Sequence, residues 1–358
     1  MNFKTVEEGR VKLIVPDVNL PEDGREYGFY NPRMKFDRNI SVCVLKVFKD
    51  IFEEKFGSQP RVCDLLCATG VRGIRYTKEV KLDDVTINDI NEKAIEVAKK
   101  NVEMNEVSVK VTNIDANELL TKEKFDVIDI DPFGSPFRFI DSAARSLSKF
   151  SLFCVTATDL PVLFGIYPKV CFRRYGLRSV RCEFEAELGL RILLTFVIRE
   201  LAKYELAFQP LICYARKHWI RLFGLVERSV DKVDQLLKNF KYLKIDDKPV
   251  GDIYLGELTS KFFCSKVLKE LKGCKFEDEL KLVNMISTEL QIPFYFDLVW
   301  IAKNLKKPLV KTDSVVDALR RKGFSASRTH FSSTGVKTDA TLKEVINIID
   351  EITNKKQR

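Results

Sequence analysis

Three features of the chain predict an α/β fold built on a parallel sheet. Short apolar runs alternate with stretches of helical periodicity between about residues 40 and 160, the order that produces βαβ units. A small-residue turn, Cys67-Ala68-Thr69-Gly70-Val71-Arg72-Gly73, follows the first run. Four runs carry or end beside a carboxylate, Asp64, Asp89, Asp115 and Asp131, and in such sheets ligands gather at the carboxyl ends of the strands.

The elements follow in order. Residues 40–56 have helical periodicity and stop at Gly57, a suitable cap. Residues 61–66 form a short strand, and the Gly70 turn leads into a helix reaching Glu79. Residues 85–87 make a second strand ending at Asn88-Asp89. Residues 91–105 are a helix with Ala94, Ile95, Ala98 and Val102 on one face. Strands are expected at 108–112, 125–130 and 152–156, a long amphipathic helix at 183–202, and strands returning to the sheet across 211–226. The polar stretch 241–251 reads as a linker, so a first domain of residues 1–243, with an N-terminal extension, precedes a smaller α+β domain of residues 244–358. The latter closes with a helix at 341–353.

Size and composition agree. A chain of 358 residues exceeds one usual core, and 45% hydrophobic residues suffice to bury two. The formal charge of +9 suits a nucleic-acid partner, and equally a solvated basic surface. The N-terminus lacks the apolar core of a signal peptide, and no apolar run reaches about 18 residues, so a soluble cytoplasmic protein is expected. Nine cysteines are odd in number and scattered, which implies reduced thiols. Cys63 and Cys67 lack zinc spacing, and His218 and His330 are the only histidines, so no metal is expected.

The strand-end acids suggest one nucleoside ligand. Asp64 and the Gly70–Gly73 turn would let a backbone approach it, with Arg72 pairing with a carboxylate. Asp89 would accept the ribose hydroxyls, and Asp115 an adenine amino group. A dinucleotide would call for the fuller G-x-G-x-x-G, but Ala68 replaces a glycine, which favours S-adenosylmethionine. Helix capping explains each acid singly, Asp89 before Asn91 above all. Ile128-Asp-Ile-Asp-Pro-Phe-Gly-Ser-Pro136 then ends a buried strand on an acid and a turn. Read plainly, Asp131-Pro132-Phe133-Gly134 is a type I turn with Phe133 in the core. Read functionally, it is the mouth of the site.

Residues 62–76 (VCDLLCATGVRGIRY), 86–101 (TINDINEKAIEVAKKN), the NIDAN segment and above all IDIDPFGSP resemble class I methyltransferases, specifically the tRNA (guanine-26) dimethyltransferase family. FYNPRMKFDRN (29–39), CEFEAELGLR (182–191) and THFSSTGVKTDA (329–340) agree, so the resemblance spans nearly the whole chain. It implies a Rossmann-like methyltransferase domain with a smaller α+β tRNA-binding domain. The implied reaction transfers one or two methyl groups from S-adenosylmethionine to the exocyclic 2-amino group of guanosine 26. Asp131 and the Pro132 carbonyl would accept the amine hydrogens, with Phe133 as a stacking face. Arg38, Asp64, Ala68, Gly70, Arg72, Asp89, Ile90, Asp115 and Ala116 would hold the cofactor. Phe29, Tyr30 and Phe36 would close over an unstacked base, with Arg33 beside them, although the same segment also reads as an extension packed on the sheet.

Two basic stretches suit RNA phosphates: residues 167–181, with Arg173 and Arg174 among five cations and no acid, and residues 301–337, with nine cations against Asp313 and Asp317. Lys337 lies in the Ser- and Gly-rich segment expected to grip a backbone. Many family members carry four cysteines near the domain junction, and this chain does not, which again leaves no metal. The alternatives are an amino-group methyltransferase acting on another RNA or on a protein glutamine, and a non-catalytic tRNA-binding protein with a relict cofactor fold.

Overall fold

The computed structural model describes residues 2–17 and 26–356. An N-terminal hairpin, β1 (Phe3–Glu8) and β2 (Val11–Pro16), precedes the main body. There α1 (Lys35–Phe56), ending at Gly57 in the left-handed region, leads to β3 (Val62–Asp64), α2 (Val71–Arg75), β4 (Val85–Asn88), α3 (Glu92–Met104), β5 (Lys110–Thr112), α4 (Ala116–Lys122), β6 (Phe125–Ile130), α5 (Phe137–Ser146) and β7 (Leu147–Ala157). Next come α6 (Leu160–Leu163), α7 (Pro168–Tyr175), α8 (Glu185–Ala202), β8 (Leu206–Arg216) and β9 (Trp219–Arg228).

Seven strands form one sheet in the order β5-β4-β3-β6-β7-β9-β8. Pairing is parallel from β5 to β7, with Val62 opposite both Val85 and Val127. β9 alone runs antiparallel, paired with β7 and β8, because β8 and β9 are joined by a tight turn rather than a crossover helix. The strand order reverses between β3 and β6, so their carboxyl ends open a crevice. Apolar clusters cover both faces. One gathers α5 and α8, including Ile140, Leu190 and Leu194, and the other rests on α1, with Ile40, Val44 and Phe48.

The C-terminal part comprises α9 (Val230–Leu237), β10 (Phe240–Ile245), β11 (Lys248–Tyr254), α10 (Lys261–Gly273), α11 (Glu277–Thr288), β12 (Phe296–Asp297), α12 (Leu298–Asn304), α13 (Thr312–Arg321), β13 (Ala326–Arg328), β14 (Gly335–Thr338) and α14 (Leu342–Lys356). Residues 241–251 are not a linker. They lie in the β10–β11 hairpin, whose buried residues Ile245, Val250 and Ile253 join the core with α8. Phe263, Val267, Val283 and Ile286, from α10 and α11, pack in the same cluster as α1. A separate core is built around Leu298, Val315, Leu319, Val336, Val345 and Ile348.

Candidate active site

The first strand end is drawn tight by its glycines. Asp64 closes β3, and its Oδ2 accepts the Gly73 N–H at 3.0 Å, tying strand to helix. Burial pushes this carboxyl up to about 7, against the opposing pull of Arg72. A Cβ on Gly73 would sit 2.1 Å from Ile87 Cγ2, and one on Gly70 would press on Ala98 and Ile74. Both glycines therefore serve helix-on-strand packing, a correction to the expectation that they open the turn to a ligand. The opening lies one step earlier. Ala68 stands in the left-handed region at φ 47°, and its N–H donates to Asp89 Oδ2 at 2.9 Å. Asp89 Oδ1 accepts from Asn91 N at 3.0 Å, so both carboxylate oxygens hold backbone. Burial raises the Asp89 pKa, and these N–H groups lower it.

The second strand end carries the acidic turn. Asp131 follows β6 directly, and Gly134, at φ 99°, lets the chain reverse. Gly134 N donates to Thr158 Oγ1 at 2.7 Å, and Thr158 N donates back to the Gly134 carbonyl at 2.9 Å. Ser135 Oγ lies 2.5 Å from the Tyr175 hydroxyl, which also bonds Asp159. The end of β7 thus clamps the turn from below.

Beneath Asp131 lies a buried ion cluster. Arg72 donates to Asp131 Oδ2 at 2.5 Å, Asp37 Oδ2 at 3.0 Å and Ser41 Oγ at 2.8 Å. Arg221 grips Asp129 with bonds of 2.7 and 2.8 Å, Tyr76 donates to Asp129 at 2.6 Å, and Tyr214 donates to Asp37 at 2.6 Å. Burial disfavours the Asp129 charge, but Arg221 and Arg72 overcome it and hold its pKa below the ordinary value. Three carboxylates thus share two guanidinium groups, with tyrosine hydroxyls donating to the two deeper ones, Asp129 and Asp37, the condition under which buried charge is tolerated. Arg72 is spent on this cluster, so its expected pairing with a cofactor carboxylate is corrected.

The two strand ends line one cleft of about 550 Å³. It brings together Phe29, Tyr30, Arg38, Asp64, Ala68, Arg72, Asp89, Asp131, Pro132, Phe133 and Arg174. Arg38 is buried and bonds Glu8 through Nε at 2.6 Å and Nη2 at 2.5 Å, beneath the Tyr30 ring. Phe133 is 61% exposed, not in the core, and its ring centroid lies 6.1 Å from that of Phe29. Thr69 also lines the cleft, and its buried Oγ1 has no hydrogen-bond partner among the described residues.

Other expected residues stand apart. Asp115 is exposed and caps α4 by accepting from Asn117 N and Glu118 N; neither it nor Ala116 lines the cleft. Their loop is nonetheless tied to the end of β4, since Asn113 Nδ2 donates to the Asp89 carbonyl at 2.8 Å. Ile90 is exposed outside the lining. Arg33 is exposed on the rim, 3.2 Å from Nε2 of the cleft residue His218. Phe36 packs under Arg216 outside the lining rather than over the pocket.

Arg173 is exposed on α7, and Arg174 pairs with Asp159. Lys337 corrects a further expectation. It is buried in β14, its Nζ 3.1 Å from Glu187 and 3.0 Å from Glu289, because the segment read as a backbone-gripping loop is partly an internal strand. Among the described residues, no group of three or more His, Cys, Asp or Glu is placed to hold a metal ion.

Sequence reasoning missed Glu8, Asp37, Thr158, His218, Trp219 and Arg221. The run Thr156-Ala-Thr-Asp159 closing the fifth parallel strand was the one local signal, since polar residues at a strand's carboxyl end follow the same rule as the four acids.

A sheet in this order, with one antiparallel strand and a cleft at its reversal point, defines a class I methyltransferase fold. Comparison with known proteins narrows this. The family model described as "N2,N2-dimethylguanosine tRNA methyltransferase" matches residues 9–248 and 245–350. A tRNA (guanine(26)-N(2))-dimethyltransferase of Methanococcus maripaludis is 34% identical across 99% of this chain and 100% of its own length. That of Pyrococcus horikoshii is 34% identical over 97% of this chain and 98% of its own. The solved complex of Trm1 from Pyrococcus horikoshii with S-adenosyl-L-methionine superposes with a TM-score of 0.88 at 33% identity, covering 96% of this chain and 99% of that one. The chain belongs to the N2,N2-dimethylguanosine tRNA methyltransferase family.

Proposed function

We propose that the protein is an S-adenosylmethionine-dependent tRNA methyltransferase acting on the exocyclic 2-amino group of guanosine 26, once or twice. The observation that carries this reading is the convergence of Asp89, the Ala68 turn and Asp131 on one cleft, in a chain of this family. Neither transfer to another RNA or a protein glutamine nor a non-catalytic role draws support from the relatives' names.

The residues present fit the cofactor. Thr69 Oγ1 is a buried polar atom left over at the cleft wall, and Ala68 holds an open turn in a conformation that L-residues rarely adopt. Asp64, Ala68 and Asp89, with Ile90, Asp115 and Ala116 alongside, would hold the nucleoside. Arg38 would take the amino-acid carboxylate, because its Nη1 has no partner among the described residues. S-adenosylmethionine, when bound, supplies an electrophilic sulfonium methyl.

The chain's own work is done on the amine. A purine amine is a weak nucleophile because its lone pair is drawn into the ring, so it must be held in line and made more tetrahedral. Asp131 Oδ2 is fixed by Arg72, whereas Oδ1 accepts no hydrogen bond among the described residues and is open to one N–H. The Pro132 carbonyl likewise accepts none and is open to the other. As nitrogen gains positive charge, its bond to Asp131 strengthens, so the site favours the transition state over the substrate. Phe29 and Phe133 offer faces for the unstacked base.

Arg33, Arg173 and Arg174 are assigned to RNA at the rim, and residues 244–358 to holding the tRNA, within which residues 298–349 have a core of their own. No described helix is long and apolar enough to cross a membrane.

The test is labelled-methyl transfer to unmodified tRNA transcripts carrying guanosine or adenosine at position 26, followed by nucleoside analysis. N2-methylated guanosine is expected from the first transcript alone, and equal label on both would refute the site assignment.

A further inference from the structure

One surface outside the cleft combines apolar rings with unpaired charge. On α7, Lys169, Phe172 and Arg173 are all exposed, and their spacing puts them on one face. Phe172 is 50% exposed, and Ile166 and Tyr167, just before the helix, are 50% and 55% exposed. The Arg178 guanidinium lies 5.0 Å from the centre of the Phe172 ring. Of the five cations between residues 167 and 181, Arg174 pairs with Asp159 and Arg181 with Glu185. Lys169, Arg173 and Arg178 have no acidic partner among the described residues. A solvated basic face accounts for the charges but not for two aromatic rings kept in water beside them.

The inner side of this helix is bolted to the site. Tyr175 bonds Ser135 of the acidic turn, and Arg174 lines the cleft with its guanidinium 5.9 Å from the Phe137 ring centre. Anything seated on the outer face is therefore held at a fixed offset from Asp131. Aromatic rings set among cations are the means by which proteins hold unpaired nucleotides: bases stack on the rings while phosphates meet the cations.

We infer that this face binds an unpaired RNA stretch next to the target nucleotide, stacking bases on Tyr167 and Phe172 and holding phosphates with Lys169, Arg173 and Arg178. This rests on the tRNA reading above and adds where, and in what form, the RNA is gripped. The contacts are sequence-tolerant, so they fix register rather than choose bases.

The test uses the full chain with Tyr167→Ala and Phe172→Ala combined, assayed on an unmodified tRNA transcript by methyl transfer and, separately, by fluorescence anisotropy. KM and Kd for the transcript should rise at least about thirtyfold, two stacking contacts at about 1 kcal/mol or more each, with kcat and S-adenosylmethionine affinity unchanged. Removing Lys169, Arg173 and Arg178 together should lower the salt slope of tRNA binding by roughly 2, as for three single-strand phosphates. If the parent transfers methyl groups and neither variant changes tRNA affinity, the face is refuted while the proposed function stands. If the parent binds tRNA without transferring and the variants weaken binding, the face stands and the proposed function falls. A parent that binds no tRNA refutes both. A parent that sediments as a dimer, with a monomeric variant of unaltered tRNA affinity, would make this a self-association surface and overturn the inference.

Discussion

Arg72 Nη2 donates to Asp131 Oδ2 at 2.5 Å and to Asp37 Oδ2 at 3.0 Å, so one buried guanidinium joins the turn after β6 to the long helix α1. The bond leaves Asp131 one fixed oxygen and one open one, which sets the direction in which it can accept an amine hydrogen. Arg72 is in these terms a positioning residue.

Arg72→Lys keeps the charge but not the fork that spans Asp131, Asp37 and Ser41. Transfer should fall by about tenfold or more in kcat, as for the loss of one oriented charge-assisted bond. S-adenosylmethionine affinity, measured by calorimetry, should stay within about twofold. An unchanged kcat would remove Arg72 from its assigned role. Arg72→Met, which strands buried carboxylates, should cost roughly 3–5 kcal/mol in urea unfolding.

The small-residue turn yields a pair of opposed stability effects. Gly73→Ala forces a Cβ toward Ile87 Cγ2 and should destabilise by roughly 1–3 kcal/mol. Ala68→Gly relieves a left-handed alanine and should be neutral or stabilising by up to about 1 kcal/mol. Thermal unfolding of both variants decides it, and equal shifts of the same sign would contradict the packing described.

Thr158→Val removes the hydroxyl that accepts from Gly134 N at 2.7 Å and leaves that turn N–H without its partner. Stability should drop by about 1–3 kcal/mol. Transfer should drop severalfold with donor affinity kept, because the turn carrying Asp131 loosens. Unaltered single-turnover rates would show that the clamp from β7 does not govern the turn.

Glu289 gives a pH signature. Burial opposes its charge, yet His330, Lys337 and Thr329 bring its pKa down to about 2 from 4.5. A lowered carboxylate stabilises fully above its unfolded value and loses that contribution as pH falls from about 4.5 toward 2, an effect worth roughly 3 kcal/mol. Glu289→Gln should unfold with a shallower pH dependence in that window, by roughly one proton. Parallel curves for parent and variant in urea titrations from pH 5 to pH 2.5 would contradict it.

Much of the site was legible because the carboxyl ends of parallel strands are predictable wherever apolar runs stop. Asp64, Asp89 and Asp131 announce themselves in this way. What lay hidden depends on contacts distant in sequence. Asp37 and Arg221 are 184 positions apart and meet only because β9 turns back beside β7. Glu8 reaches Arg38 and Arg75 from a hairpin whose short strands resemble any surface segment. The β10–β11 hairpin read as a linker because its exposed strands are polar, and Lys337 read as surface because a buried lysine is recognisable only once Glu187 and Glu289 are placed around it.

Asp131 carries the proposed chemistry most directly. With Asp131→Ala, methyl transfer to the guanosine-26 transcript should fall at least about thirtyfold, the loss of a bond to developing charge worth about 2 kcal/mol, while circular dichroism and S-adenosylmethionine affinity stay at parent values. A variant that keeps a tenth or more of the parent rate would contradict the role assigned to this carboxylate.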